Sequence, residues 1–424
     1  MLAGYLDGDI SVANSNAYTL FMGVEGRTIG GISPLTSVQH YESKAGTYSA
    51  ELQQIWQTEK HDTVVGTRLQ YGHFKTSNLQ MSPSDFVGAF TNPMVAQTFS
   101  TPFHRESFYG YHTWKILDPL DLIGGVTYDR LSFPKNFRYA PISDAEETRD
   151  QISPKAGIIW RITDDTLFRG AYTKSLGGVG LDQSFRIEPS QVAGFNQSYR
   201  SVIPESVAGS SAAEEFETFG GSIEKKFPTG TYLALTGEIL NSKVNREIGA
   251  FALDLNISDF AFPSGTQEAL DYHEKSLTFS VHQLLGHGFA LGTIYRVSDA
   301  ELNDDFTQVP ASAFLGPPFQ AHADVRATLH ELESHIIYNH SSGFFAQFQA
   351  LWYLQANRGY TPALRTDDFW QFNLIAGYRL PGRRVEITFG LLNLTGKDYK
   401  LNPLSLYAEL PRERTFAARV EFNF

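Results

Sequence analysis

Apolar and polar residues alternate with a period of two in many separate stretches of this chain. In 411–424, Phe416, Ala418, Val420, Phe422 and Phe424 share one face, and Arg419, Glu421 and Asn423 share the other. In 343–356 the apolar face is Phe344, Ala346, Phe348, Ala350, Trp352 and Leu354, opposed by Gln347, Gln349 and Gln355. Val385, Ile387, Phe389 and Leu391 oppose Arg384, Glu386 and Thr388, and Leu277, Phe279 and Val281 oppose Thr278, Ser280 and His282. Period two is the signature of strands with two unlike faces. It predicts about sixteen strands, near 16–29, 46–58, 62–75, 102–117, 120–131, 151–162, 165–176, 213–227, 230–245, 268–285, 287–302, 322–339, 342–356, 367–380, 383–394 and 411–424. Two stretches are less regular. In 322–339 the phase shifts near His330 and Glu331, which suggests a bulge or a strand that has left its layer. In 102–117 both faces are mixed and give no orientation.

The connections between these strands alternate in length. Short ones fall at 59–62, 118–120, 163–165, 228–230, 286–287, 340–342 and 380–383, and long ones at 30–45, 76–101, 132–150, 177–212, 246–267, 303–321, 357–366 and 395–410. A membrane β-barrel has tight turns at one rim and large loops at the other. The fold class predicted is therefore all-β: a transmembrane antiparallel β-barrel of about sixteen strands, with short periplasmic turns and long extracellular loops. Each strand meets the roughly 9–11 residues that cross a bilayer at a tilt. The apolar face is expected toward lipid, since an arginine at mid-plane costs about 2–4 kcal/mol. Residues 1–424 are read as one barrel domain without a plug, with 1–15 an N-terminal segment or partial strand.

Composition fits this picture. The chain of 424 residues carries 32 Phe and 20 Tyr, as aromatic girdles at two interfaces require. No run of about 18 apolar residues occurs, so no transmembrane helix is expected. The mean hydropathy of -0.24 is compatible with a wall that wets one face. The absence of cysteine removes disulfide frameworks and thiolate chemistry, and a net charge of -12 argues against nucleic acid as a partner. The N-terminus lacks the basic and apolar regions of a signal peptide, so the chain reads as mature, truncated or part of something longer.

Three stretches carry a more specific resemblance. SPKAGIIWRITDDTLFRGAYTKSL (153–176), FETFGGSIEKKFPTGTYLALTGEIL (216–240) and FGLLNLTGKDYKLNP (389–403), with the ending PRERTFAARVEFNF, resemble hairpins and the terminal strand of TonB-dependent receptor barrels. The resemblance covers roughly the C-terminal two thirds. It implies a bacterial outer-membrane location and uptake of a solute, with lipid, lipopolysaccharide and the barrel-assembly machinery as surroundings. An upstream plug or a TonB system would be a further partner. Barrels of that family have about 22 strands around a plugged lumen, and this chain shows neither that length nor a plug nor a TonB box. The ending resembles the assembly signal of such proteins, carried by Phe416, Val420, Phe422 and Phe424; physically, an alternating edge strand is a template for strand addition.

Alternation places Arg68, Lys155, Arg161, Arg169, Arg296, Arg326, Arg379, Glu386, Arg419 and Glu421 in the lumen, where fixed charge would bias permeation or pair across strands. His330 and His335 are five apart, not four as a helical zinc motif needs, and Gly177, Gly178 and Gly180 lack the lysine of a phosphate loop. The acidic groups Asp144, Glu146, Glu147 and Asp299, Glu301, Asp304, Asp305 are read as solvated loop residues. No catalytic or metal residue and no cofactor is implied. Three functions remain open: a receptor or transporter barrel, a passive porin narrowed by an infolded loop (132–150 or 177–212), and a surface-binding or assembly barrel without transport.

Overall fold

A computed structural model describes residues 1–82, 90–180, 186–197, 211–254, 256–380, 382, 384–397 and 413–422. The first half of the wall is β1 (Leu2–Glu25), β2 (Thr28–Gln57), β3 (His61–Met81), β4 (Val95–Leu117), β5 (Leu120–Pro134), β6 (Glu146–Thr163) and β7 (Thr166–Leu176). Two short pieces, β8 (Gln191–Val192) and β9 (Phe195–Asn196), follow in a loop. The wall resumes with β10 (Glu215–Lys226), β11 (Thr231–Leu253), β12 (Phe262–Gly286) and β13 (Phe289–Phe306). After the short β14 (Phe314–Leu315) come β15 (His322–Asn339), β16 (Phe344–Arg358), β17 (Asp367–Arg379), β18 (Val385–Leu392) and β19 (Thr415–Phe422). Setting aside β8, β9 and β14, sixteen long strands form an antiparallel meander, each paired with its neighbour in sequence.

All seven short turns lie where alternation places them. Glycines at positive φ make several of these turns, including Gly230 (φ 77) and Gly343 (φ 101). At Gly343 a Cβ would meet the Arg379 carbonyl oxygen at 2.1 Å, so the turn requires glycine.

The opposite rim differs from expectation. Residues 30–45, read as a long loop, are part of β2, which runs for 30 residues. Fully extended, it would span about 100 Å, far more than a bilayer needs. Its partner β1 begins at Leu2, so 1–15 is a full strand, and the turn between them is only Gly26 and Arg27. The glycines and proline of 30–34 that read as a loop sit in a ladder that pairs Leu20 with Pro34 and Glu25 with Thr28. The loop expected at 246–267 likewise shrinks, because β11 and β12 extend to Leu253 and from Phe262.

The two irregular stretches have one physical cause. Register between β13 and β15 is continuous from Asp305–His322 to Phe289–Tyr338, so no bulge lies at His330. Val325, Ala327 and Leu329 point inward and are buried with Phe216, Leu240, Val244, Leu270, Tyr272 and Leu302. Lower on the same face come Glu331, Glu333 and His335. The inner face is thus apolar where the barrel's upper end is packed and polar where it is wet. In β4 the odd residues Phe103, Arg105, Ser107, Tyr109 and Tyr111 are buried inside, and Phe108 and Trp114 are exposed outside. The lumen there contains aromatics, which is why both faces looked alike.

Candidate functional site

The loop between β7 and β10 does not stay outside. Its segment 186–197 descends into the lumen and is held against the inner wall. Glu51 of β2 accepts the backbone N–H of Ile187 at Oε2 and that of Glu188 at Oε1, both at 2.8 Å. The Tyr109 hydroxyl donates to Glu51 at 2.8 Å, and Gln53 donates to the Ile187 carbonyl at 2.8 Å. The Glu188 carboxylate accepts from Tyr111 at 2.6 Å and from Thr127 at 3.0 Å. Gln197 Oε1 lies 2.9 Å from the same Tyr111 hydroxyl, and its amide N–H donates to the Pro189 carbonyl.

Two wall glycines make this approach possible. A Cβ on Gly220 of β10 would lie 2.3 Å from the Phe195 ring, and one on Gly157 of β6 would lie 2.8 Å from Val192. Both glycines sit six residues above the turn that ends their strand. At about 3.3 Å per residue and a tilt near 45°, the loop tip reaches roughly the middle of the hydrocarbon layer. Phe195, Val192 and Ala193 are buried there.

Above the loop tip lies a cavity of about 180 Å³. Arg68, Arg105, Thr127, Asp129 and Lys155 come from the wall, Gly177, Gly178, Val179, Gly180, Arg186 and Glu188 from the loop, and Arg138 from the β5–β6 connection. Arg105 donates to Asp129 through Nη2 at 2.9 Å and Nε at 3.2 Å, and Ser107 donates to the same oxygen at 2.6 Å. Lys155 donates to Thr127 Oγ1 at 3.0 Å and to the carbonyls of Lys174 at 3.1 Å and Ser153 at 3.3 Å. Arg138 donates to the Val179 carbonyl.

The extracellular mouth is crossed by a hairpin. Residues 20–23 of β1 pair in parallel with 250–253 of β11, half-way round the wall. Met22, Ile29 and Ile32 are buried there with Ala250, Ala252 and Phe306. The Gly26 N–H donates to Asp254 at 3.0 Å. The β5–β6 connection packs beside this roof, with Phe137 against Phe74 and Tyr139 over Arg246. Arg246 pairs with Glu268, both buried. Next to them, well above the membrane, burial and the neighbouring Glu268 push the Asp304 carboxyl up to about 8.

The lumenal charges expected from alternation divide into three groups. Arg68 and Lys155 line the cavity. Arg161 pairs with Asp121 at 2.9 Å, Arg169 with Glu224, Arg296 with Glu331 at 3.7 Å, Arg379 with Glu386 at 2.7 Å and Arg419 with Glu421. These pairs brace neighbouring strands or positions on one strand. Arg326 is a correction: it shares the outer face with Asp299, to which it donates at 2.9 Å, because alternation was counted through the apolar upper end of β15 with the wrong phase. Phe416, Val420 and Phe422 lie exposed on the outer face of β19, and Phe424 lies outside the described residues. His330 bonds Tyr295 on the outer face, whereas His335 faces His282 inside, as odd spacing in a strand dictates.

Sequence reasoning missed Glu51, Tyr109, Tyr111, Arg105 and Asp129. Polar and glycine residues at every second position of β2 and β5 were the signal available for Glu51 and Asp129; the mixed faces of β4 gave none for Arg105, Tyr109 and Tyr111.

A wall of long antiparallel strands, lipid-facing aromatics, tight turns at one rim and chain segments folded into the lumen define an outer-membrane β-barrel. The family profile described as TonB dependent receptor-like, beta-barrel, matches residues 3–208. That match spans just under half of the chain, which by it resembles the TonB-dependent receptor-like β-barrels of the bacterial outer membrane. Among solved structures, the copper transporter OprC superposes with a TM-score of 0.51 at 14% identity, covering 91% of this chain and 60% of that one. P. aeruginosa FpvA bound to a heterologous pyoverdine gives 0.51 at 12% identity, with 94% and 50% covered. The ferric yersiniabactin uptake receptor FyuA from Yersinia pestis gives 0.50 at 12% identity, with 91% and 53% covered. At these identities the likeness is one of fold, and the chain spans 50–60% of the length of those structures. No curated protein matches the chain in sequence.

Proposed function

We propose that this chain is the barrel of a solute receptor for uptake across the outer membrane, rather than an open diffusion pore. The observation that carries this reading is obstruction at two levels by the chain's own segments. The 186–197 segment is bonded to the wall at mid-membrane depth, and the β1–β2 hairpin spans the mouth to β11. A passive porin needs a standing aqueous path, whereas a receptor holds its path shut until a ligand or a partner rearranges it. The proposal treats 1–424 as one barrel domain and implies a solute ligand and a TonB system as partners. The proposed surroundings are lipid, lipopolysaccharide and the barrel-assembly machinery.

Single-channel recording of the refolded chain in a planar bilayer tests this. Inserted wild-type protein is expected to show no stable steps of porin size, and a variant lacking 186–197 is expected to conduct. Steady porin-sized steps from the wild type would overturn the receptor reading and favour a diffusion pore.

A further inference from the structure

We infer that His282 and His335 form a binding site for a divalent transition-metal ion on the inner face, near the periplasmic turns. Each lies four residues before the end of its strand, β12 at Gly286 and β15 at Asn339. Between them stands Gly292 of β13, which pairs with His282 on one side and with His335 on the other. The two histidine strands are two spacings apart, about 9.5 Å, yet the imidazole rings lean together until their centroids are 5.7 Å apart. Glycine makes this possible. A Cβ on Gly292 would lie 2.3 Å from His335 Nε2 and 2.6 Å from His282 Nδ1. A glycine inside a strand weakens it and marks a close approach; here one nitrogen from each ring converges over it.

Convergent imidazoles suit zinc, nickel and copper ions, with metal–nitrogen bonds of about 2.0–2.1 Å. The other ring nitrogen of a metal-bound histidine is ordinarily turned to a carboxylate or carbonyl that fixes the ring. His335 has this arrangement: its Nδ1 faces Glu333 Oε1 at 3.7 Å, and Gln349 donates to the same oxygen at 3.4 Å. The His335 side chain is only 14% exposed, and its Nδ1 makes no hydrogen bond among the described residues. The cations on this part of the inner face are occupied. Arg296 is engaged by Glu331 at 3.7 Å and by Thr278 at 3.1 Å, and Lys226 is held over the ring of Tyr232, the neighbour of His282 on β11. No third protein ligand converges among the described residues, so water or a solute oxygen completes the coordination.

The site goes beyond the receptor reading and does not depend on it, because conductance and metal binding are measured separately. The test is titration of the untagged full chain, refolded in detergent, with Cu²⁺, the divalent ion for which such sites have the highest affinity. Electron paramagnetic resonance should show one tight equivalent coupled to two imidazole nitrogens. Changing a partner behind a ligand costs about tenfold in affinity, so His282→Ala and His335→Ala should each cost at least that and remove the two-nitrogen signal. Gly292→Ala keeps both ligands and should also weaken the site, since its Cβ stands between the nitrogens. The exposed pair His61 and His112, whose ring nitrogens already bond each other at 3.2 Å, serves as the control, and His112→Ala should leave the equivalent intact. Heat-dependent gel mobility identifies the variants that fold, and any one of the three suffices for the comparison. A wild type without a two-nitrogen equivalent, or the same equivalent in a folded His282, His335 or Gly292 variant, would overturn the assignment, as would its loss in His112→Ala.

Discussion

Replacing Glu51 by alanine is the sharpest perturbation of the infolded loop. Glu51 is 2% exposed, and its two oxygens hold the N–H groups of Ile187 and Glu188 at 2.8 Å each. Tyr109 fixes the carboxylate from the wall side at 2.8 Å. A hydrogen bond to a charged acceptor contributes roughly 1.5–3 kcal/mol, so the two loop contacts amount to about 3–6 kcal/mol before coupling. The bonds share one acceptor group and are not additive, and Gln53 still holds the Ile187 carbonyl. A loss of about 3 kcal/mol is therefore expected, which raises the population of the undocked loop by about two orders of magnitude. Single-channel recording reads this directly: brief openings should appear about a hundredfold more often in Glu51→Ala than in wild type. Glu51→Gln, which keeps one carbonyl acceptor, should fall between them. The reasoning fails if Glu51→Ala stays as silent as wild type in a preparation where deletion of 186–197 conducts.

Three other perturbations follow from the same geometry. Gly220→Val would place a side chain where the Phe195 ring lies, at 2.3 Å for Cβ alone, and should raise conductance without altering the heat-dependent gel mobility of the barrel; unchanged closure would contradict the packing argument. Asp129→Leu removes one partner of a buried ion pair, and losses of 3–5 kcal/mol are typical; because Arg105 also donates to the Leu176 carbonyl, about 3 kcal/mol is expected by urea unfolding in detergent, and a loss under about 1 kcal/mol would refute it. Asp304 is raised to about 8 in the folded protein by burial and by Glu268, against an unfolded value near 4. Between those values the folded state holds the proton and the unfolded state does not, so its contribution is full below about pH 4 and lost as pH rises through about 8. Asp304→Asn should remove that fall in stability of the extracellular end, read by hydrogen exchange at pH 5, 7 and 9; identical pH profiles for the two proteins would sink it.

What could be read in the sequence, and what could not, divides by depth in the barrel. Within the membrane, one face meets lipid and the other water, so residues such as Phe344–Leu354 and Val385–Leu391 alternate cleanly and the tight turns announce themselves. Above the membrane that contrast disappears. Val325, Ala327 and Leu329 are apolar and face inward because loops fill the upper lumen, so a phase counted through them puts Arg326 on the wrong side. The β1–β2 hairpin was hidden for a related reason. Gly30, Gly31 and Pro34 signal a loop by local chemistry, yet tertiary packing of Met22, Ile29 and Ile32 against β11 makes a ladder there. The infolding of 186–197 left only a faint trace, glycines at lumenal positions of β6 and β10 whose meaning depends on which segment comes to rest against them.

The placement of the loop bears on how such a barrel could open at modest cost. Its named partners, Glu51, Gln53, Tyr109, Tyr111, Thr127, Gly157 and Gly220, all belong to the strands from β2 to β10. Across the lumen, the inner faces of β15, β16 and β17 present Glu333, His335, Gln349 and Gln371, only partly buried. The ladders between neighbouring wall strands take no part in holding the loop. Release therefore needs to break a few side-chain bonds and unseat Phe195 and Val192, while every inter-strand hydrogen bond in the lipid-facing wall stays made. In hydrocarbon, where an unmade backbone bond costs several kcal/mol, separating the wall from the gate in this way allows a stable barrel and a movable obstruction to coexist in one chain.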